Sequence, residues 1–284
     1  MQVIYSAIMG LVQGLTEFLP VSSSGHLLLA EKLLGLLGYQ NANSMALAVM
    51  LHMGTLIAVA VIFWRDWIEM LRHPIKNPTL LLLFVASLPA LVLVVLLGDW
   101  IDGLFTGWFL GISFFVTALF LVLIERISGK RKGSPVVNDA VTMPRAVIMG
   151  LFQGIALLPG VSRSGSTLLG GVSTGLSRGT AAKFSFMMSA PTILGSFLKE
   201  GKDAIEAGGL SSLISVETLV GVVVAAVSGW LAIRYMLKLI ERISFYKFAL
   251  YVALVGAAVI VMQLTGFAGF PPLAWPGAAP QPLG

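Results

Sequence analysis

Long apolar stretches separated by short polar loops dominate the chain. A helix needs about 20 mostly apolar residues to cross about 30 Å of hydrocarbon. Six stretches reach or approach this length, and we predict a membrane-spanning helix in each of them. They are Met45–Trp64, Thr79–Leu97, Leu104–Ile124, Ala182–Leu198, Thr218–Leu237 and Phe248–Leu264. The pattern therefore predicts an all-α integral membrane protein with six transmembrane helices.

Two further apolar regions are too broken to be simple spans. In residues 2–38, Gln13 and Glu17 interrupt the apolar run and Pro20 ends it; in residues 145–177, the apolar pieces are short. Irregular backbone at membrane depth is tolerated only where protein or a watery cavity surrounds it. We therefore predict that each region forms a re-entrant helix–loop–helix hairpin, which enters the membrane and returns to the same side.

The two broken regions are copies of one another at an offset of 140 residues. Between residues 8–29 and residues 148–169, 12 of 22 positions are identical. With three spans following each hairpin, we divide the single membrane domain 1–284 into repeat 1 (2–125) and repeat 2 (145–266), and we expect a flexible tail at 267–284. An odd number of spans inverts the second copy. Broken segments at matching positions of inverted repeats point to a binding site.

Composition and charge agree with a membrane protein. Hydrophobic residues make up 57% of the chain and charged residues 11%, whereas soluble domains are about half apolar and a quarter charged. The net charge of +5 does not indicate a nucleic-acid partner, because the basic residues fall in short loops. The loops Arg65–Lys76, Arg126–Arg145 and Arg234–Lys247 are basic and should be cytoplasmic. The acidic Gly98–Gly103 turn should face outside, so the first hairpin opens to the extracytoplasmic side.

The first hairpin carries candidate acid–base groups. Gln13 and Glu17 are four residues apart and share one face of a helix. Glu17 and His26 form a potential acid–base pair. A glycine-containing loop that opens a helix presents free backbone N–H groups to an anion. The candidate residues between Glu17 and His26 are Ser22, Ser23, Ser24 and Gly25.

The second hairpin replaces the acid–base groups with a guanidinium. Leu157 and Ser166 occupy the positions that correspond to Glu17 and His26, while Arg163 stands where the first loop has a serine. A planar guanidinium suits bidentate phosphate binding. If the hairpin tips meet, Arg163 faces the acid and the imidazole across a pocket that would bind a phosphate and could hydrolyse it. The other candidate phosphate-binding residues are Ser162, Ser164, Gly165 and Thr167.

These residues carry a resemblance to a known family. The segment from Gln13 through Glu17 to Gly25-His26 is similar to a signature of the undecaprenyl-diphosphate phosphatase family, the bacitracin-resistance type. The segment Pro159–Thr167 resembles the P-G-x-S-R-S-G-x-T signature of that family. The resemblance implies a bacterial inner-membrane enzyme that converts a polyprenyl diphosphate to the monophosphate and inorganic phosphate, and so recycles the cell-wall lipid carrier. By position, it implies functional roles for Glu17, Ser22, Ser23, His26, Ser162, Arg163, Ser164 and Thr167.

The resemblance also implies a divalent cation, commonly Mg²⁺ or Ca²⁺. Glu17 is the candidate ligand for it. Many members of the family have a glutamate where this chain has Gln13. A neutral amide cannot give the metal a second charge, so Gln13 is the weaker candidate.

Several alternatives remain open from the sequence. The nucleophile is a serine of the first loop, His26, or a water activated by Glu17. A lipid or anion transporter with inverted repeats is the rival function, although an acid–imidazole pair facing an arginine favours hydrolysis. The oligomeric state is open, with a homodimer as one option.

Two other features have structural interpretations. His52 is interpreted as a buried polar residue and not as a ligand. The glycines at positions 10, 14, 150 and 154 form G-x-x-x-G spacings, which predict close helix packing.

Overall fold

The fold of the chain is all-α, as its sequence predicts. A computed structural model describes residues 1–39, 44–104, 107–130, 139–206 and 215–273. Within these ranges there are eleven α-helices, one 3₁₀ turn at Phe267–Gly269 and no strands. The helices are α1 (Gln2–Phe18), α2 (Ser23–Leu36), α3 (Ser44–Ile62), α4 (Trp64–Arg72), α5 (Thr79–Leu104), α6 (Leu110–Lys130), α7 (Met143–Ile155), α8 (Arg163–Ser173), α9 (Arg178–Glu206), α10 (Val216–Leu239) and α11 (Phe245–Thr265).

Fewer helices than predicted are long and apolar enough to cross a membrane. In the described part of the chain, four helices qualify: Thr79–Gly98 in α5, and the whole of α6, α10 and α11. A fifth candidate is the pair α3 and α4, which bends by 73° near Phe63. The remaining predicted span, Ala182–Leu198, lies inside α9. That helix has 29 residues, but serine, threonine, glycine and lysine dilute its apolar sequence, so it does not qualify.

Three predicted boundaries differ from the structure. The Gly98–Gly103 segment is helical and not a turn, because α5 continues to Leu104 after a local break at Leu97 (φ −128°, ψ 17°). The next helix begins six residues later than predicted, after Gly107, whose φ of +89° favours glycine. Part of the expected flexible tail is ordered: Phe270 is buried and Lys32 Nζ donates to Gly269 O at 3.0 Å. Residues 274–284 lie outside the described ranges.

Helices from the two halves of the chain pack against each other in a reciprocal pattern. Helix α1 of the first half packs against α10 of the second, and α7 of the second half packs against α5 of the first. The pairs α6–α11 and α3–α9 each join equivalent helices of the two halves. This reciprocal pairing is what two copies related by a two-fold axis would produce. It supports the predicted repeats.

The repeated glycines allow this close packing. A Cβ atom at Gly10 would lie 2.3 Å from Gly221 O, and one at Gly150 would lie 2.4 Å from Ala86 O. Neither backbone has room for a side chain. The interpretation of these glycines as helix-packing residues is therefore confirmed.

We expect Gly10→Ala to destabilise the fold by about 1–3 kcal/mol, the usual cost of overpacking a well-packed interface. The added methyl group would force α1 away from α10. Gly35→Ala is the matched control, because a Cβ there has no neighbour within 4 Å and alanine favours a helix more than glycine does. Thermal unfolding of the purified proteins in detergent measures the difference. Equal melting temperatures for Gly10→Ala and the unmodified chain would contradict the packing argument.

The predicted hairpins are helix–loop–helix units whose tips touch. The first consists of α1 and α2, and the second of α7 and α8. Gly160 N of the second tip donates to Ser24 Oγ of the first at 3.3 Å, and Ser164 Oγ donates to Leu19 O at 3.1 Å. Their return to one side of the membrane stays a prediction.

Candidate functional site

Glu17 is the centre of the candidate site. It lies in the last turn of α1 and is 7% exposed. Its Oε2 accepts hydrogen bonds from Ser23 Oγ at 2.6 Å and Gln13 Nε2 at 3.0 Å, while its Oε1 accepts from Arg163 Nη2 at 2.5 Å. The carboxylate thus joins the last turn of α1 to the first turns of α2 and α8. Glu17 and Arg163 meet across the two hairpins, as predicted, and Ser23 is the hydroxyl beside them.

Arg163 is held from two sides. Its Nη2 donates to Glu17, and its Nη1 donates to Ser185 O of α9 at 3.0 Å. Ser185 Oγ in turn forms a 2.6 Å hydrogen bond with Thr167 Oγ1. The guanidinium plane is therefore oriented by α1 and α9, which limits its freedom before any anion arrives.

Two of the predicted serines are helix caps. Ser22 Oγ accepts from Gly25 N at 3.2 Å at the start of α2, and Ser162 Oγ accepts from Gly165 N at 3.1 Å at the start of α8. Such caps satisfy backbone donors that have no partner within the helix. Ser22 also has a left-handed backbone, with φ 75°, which is uncommon for a residue other than glycine. These two oxygens have equivalent structural tasks in the two repeats.

Two other predicted hydroxyls connect the hairpins, and a third bonds within α8. Ser24 Oγ accepts from Gly160 N, Ser164 Oγ donates to Leu19 O, and Thr167 Oγ1 donates to Arg163 O at 2.9 Å. The glycines that follow the caps are packed: a Cβ at Gly25 would lie 2.7 Å from Phe114 Cζ, and one at Gly165 would lie 3.2 Å from Ser162 Oγ. Their contact with a phosphate stays a prediction.

Thr117 of α6 supports the second tip and was missed by the sequence analysis. It is fully buried. Its Oγ1 accepts from Ser162 N at 3.0 Å and donates to Gly160 O at 3.3 Å. A single threonine inside an apolar span gives no sequence signal of this role.

His26 does not pair with Glu17. Its Nδ1 contacts Ser22 O at 2.7 Å and its Nε2 contacts Tyr251 Oη at 2.9 Å. The ring also stacks on Tyr251 and meets the Phe114 ring edge-on. Glu17 is not among the hydrogen-bond partners of His26 in the described part of the chain. Helix α2 turns the side chain of His26 toward α11 and away from Glu17. A catalytic role for His26 stays a prediction.

His52 of α3 is the histidine beside Glu17. Its Nε2 lies 3.7 Å from Glu17 Oε2, and its side chain is 31% exposed. Its Nδ1 is hydrogen-bonded to Ala48 O at 2.7 Å. The interpretation of His52 as a buried polar residue is therefore wrong.

The described side chains do not form a cluster of several metal ligands. The described residues contain no group of three or more His, Cys, Asp or Glu side chains that could hold a metal ion. Glu17 is the carboxylate of the site, and its oxygens already accept from Arg163, Ser23 and Gln13. Gln13 donates to Glu17 with Nε2, while its Oε1 has no hydrogen-bond partner among the described residues. Binding of a divalent cation by Glu17 and Gln13 stays a prediction.

Comparisons with known proteins agree with the site. The family model described as "Bacitracin resistance protein BacA" matches residues 6–258. An undecaprenyl-diphosphatase of Halothermothrix orenii is 37% identical over 264 residues, which are 92% of this chain and 98% of that protein. Undecaprenyl-diphosphatases of Carboxydothermus hydrogenoformans and Methanosphaera stadtmanae are 36% and 32% identical and cover 91% and 93% of this chain, and 97% and 99% of their own lengths.

Proposed function

We propose, from the premise that this chain belongs to the bacitracin resistance protein BacA family, that it hydrolyses undecaprenyl diphosphate to the monophosphate and inorganic phosphate. Curated relatives over almost the whole chain have the name undecaprenyl-diphosphatase. The phosphatase predicted from the sequence is therefore confirmed at the level of the family, and a transporter is not favoured.

The observation that carries this function is the contact of Glu17 with Ser23 and Arg163 across the two hairpin tips. Hydrolysis of a phosphoric anhydride needs a nucleophile, a group that takes its proton, and positive charge near the phosphoryl oxygens. Ser23, Glu17 and Arg163 are residues of these three types in direct contact. A carrier would need no such combination.

The geometry supports Ser23 as the nucleophile. Its Oγ–H donates to a carboxylate oxygen at 2.6 Å. Ser22 and Ser162 cap helices, and Ser24 and Ser164 link the hairpins. The ring nitrogens of His26 are both hydrogen-bonded. An adjacent group that takes the proton activates a hydroxyl nucleophile, and the Glu17 carboxylate is in position to do so.

The reaction then has two steps. In the first, Ser23 Oγ bonds to the terminal phosphorus, the bond to the bridging oxygen breaks, and the polyprenyl phosphate leaves with the electron pair. Glu17 Oε2 takes the hydroxyl proton and releases it to bulk water. In the second step, water bonds to phosphorus and the bond to Oγ breaks. Glu17 takes one proton of that water and returns it to Oγ, and inorganic phosphate leaves.

Arg163 contributes charge in both steps. Its guanidinium donates to the equatorial oxygens of the transferred phosphoryl group, where negative charge is distributed in the transition state. Because Glu17 and Ser185 hold the fork in place, little reorganisation is needed when the substrate binds.

We propose that a divalent cation, Mg²⁺ or Ca²⁺, enters the site bound to the diphosphate. Mg²⁺ keeps several waters and commonly binds through substrate phosphates with few protein carboxylates. The cation would neutralise the charge of the diphosphate, and no step of the protein side chains depends on it.

The lipid tail lies in the bilayer, against the exposed apolar side chains of the spans. Leu96 of α5 and Leu254 of α11 are 71% and 62% exposed, which fits a lipid-facing surface. We place the protein in the bacterial inner membrane, with the site opening to the extracytoplasmic side. The basic loops predicted to be cytoplasmic support this orientation.

Phosphate release tests the function. We expect the purified protein in detergent to release one inorganic phosphate per undecaprenyl diphosphate, and a chelator to slow the reaction. Arg163→Lys is expected to lower kcat about 10²-fold, because an ammonium cannot donate in two parallel directions. Arg242→Lys, an exposed position, is the matched control and should keep full activity.

A transporter would give the opposite result. No phosphate release with any divalent ion, together with movement of the lipid across vesicle membranes, would overturn the proposal. Full turnover by Arg163→Lys would instead remove the bidentate role of the guanidinium.

A further inference from the structure

His52 lies where a further helix, α3, reaches the site. Helix α3 brings its imidazole Nε2 to 3.7 Å from Glu17 Oε2, the carboxylate oxygen that also accepts from Ser23. The helix is fixed at this point, because a Cβ at Gly54 would lie 2.5 Å from Val222 O of α10. The imidazole is therefore on the same side of the carboxylate as the proposed nucleophile.

The ring of His52 has a defined orientation and tautomer. Its Nδ1 lies 2.7 Å from Ala48 O. A carbonyl oxygen only accepts, so Nδ1 carries the hydrogen, and in the neutral ring Nε2 carries the lone pair. With the ring neutral, two acceptors, His52 Nε2 and Glu17 Oε2, therefore face each other at 3.7 Å.

The space between these acceptors suits a molecule with two hydrogen-bond donors. A separation of 3.7 Å is too long for a direct hydrogen bond, and a polar gap of this size is commonly bridged by water. His52 is 31% exposed, so solvent can reach it. Water is the reactant that has two donors and is needed in the second step.

Resting on the proposed function, we propose that His52 Nε2 and Glu17 Oε2 together bind the water that hydrolyses the phosphorylated Ser23. His52 accepts one hydrogen bond and orients the water oxygen toward phosphorus. Glu17 takes the other hydrogen as the new bond forms and passes it to Ser23 Oγ as the phosphorus–Oγ bond breaks. His52 keeps its own proton throughout, so it acts as an acceptor and not as a base.

The acceptor role makes a specific prediction about variants. His52→Leu removes the acceptor at similar volume and is expected to lower kcat about 10²-fold, the cost of misplacing a reactant by about 1 Å, with KM changed less than about twofold. His52→Gln can present its amide oxygen near the same place and should stay within about tenfold of the unmodified kcat. His73→Leu, at an exposed position after α4, is the control and should leave kcat unchanged.

The fate of the intermediate separates this role from a structural one. With substrate labelled at the terminal phosphate, rapid acid quenching should show more phosphoserine in His52→Leu than in the unmodified protein, because only the second step is slowed. If the leucine variant does not fold, His52→Ala replaces it.

The outcomes are distinct. Unmodified kcat in a folded leucine or alanine variant would overturn the proposal, and so would equal losses in the leucine and glutamine variants. Unfolding of all three variants would assign His52 a structural role. Absence of phosphate release by the unmodified protein would instead overturn the proposed function itself.

Discussion

Ser23→Ala is expected to lower kcat for undecaprenyl diphosphate hydrolysis by about 10⁴-fold or more, the scale seen when a nucleophile is removed. Ser23 Oγ is the hydroxyl that donates to Glu17, at 2.6 Å. Without Ser23 Oγ, no protein atom accepts the phosphoryl group. Hydrolysis then requires direct attack by a water that is not correctly positioned. The kcat of the purified variant, measured by phosphate release, tests this expectation.

Ser22→Ala provides an informative contrast to the Ser23 variant. Ser22 Oγ caps α2 by accepting from Gly25 N, and loss of an N-cap costs about 0.5–2 kcal/mol of stability. We therefore expect Ser22→Ala to lower the melting temperature and Ser23→Ala to leave it nearly unchanged. Ser173→Ala, an exposed position on α8, serves as the neutral control.

A labelled intermediate gives independent evidence on Ser23. Acid quenching of the unmodified protein during turnover, followed by mass spectrometry, should locate phosphate on this residue. A Ser23→Ala variant within tenfold of full kcat would refute a covalent intermediate at this position. Water activated by Glu17 would then be the nucleophile.

Glu17→Gln is expected to lower kcat about 10³–10⁴-fold, because an amide cannot take the proton of the nucleophile. It should also lower stability by about 2–3 kcal/mol. Removal of one partner of a buried ion pair costs about 3–5 kcal/mol. The Arg163 side chain is 16% exposed, so solvent screens its unpaired charge and lowers this cost. Phosphate release and denaturant unfolding in detergent measure the two effects.

A double variant separates the two consequences of losing Glu17. Glu17→Gln combined with Arg163→Gln leaves no unpaired charge at the hairpin tips, so it should recover most of the lost stability and none of the lost activity. Glu69→Gln, an exposed carboxylate on α4, is the matched control. Unmodified stability in the Glu17 single variant would show that the ion pair with Arg163 does not hold the two tips together.

The helices and the two hairpins were predictable because their causes are local. Apolar length, proline, glycine and capping serines act over a few neighbouring residues. Two predictions were wrong because they relied on local sequence alone: the turn at Gly98–Gly103 and the membrane span within α9. Gly98 suggested a turn, but α5 absorbs the break at Leu97 and continues. Helix α9 contains fewer apolar residues than the other predicted spans, and its buried positions include Ser185 and Ser189.

The candidate site was predictable in part. Glu17, Ser23 and Arg163 meet as the repeat implied, because both tips begin helices at equivalent positions. The imidazole was assigned to His26, which shares a loop with the serines. Sequence proximity was misleading here, since a helix points successive side chains in different directions. His26 faces Tyr251 instead.

From the order of its residues alone, this chain specifies a membrane-embedded helical fold, a duplicated pair of hairpins, and an acid, hydroxyls and a guanidinium for phosphate chemistry. Each of these depends on residue type and on short spacing. The imidazole beside Glu17 required the packed molecule, because His52 lies on α3, outside both hairpins. The rotation and depth of that helix depend on contacts such as Gly54 against Val222 O, which join residues far apart in the chain.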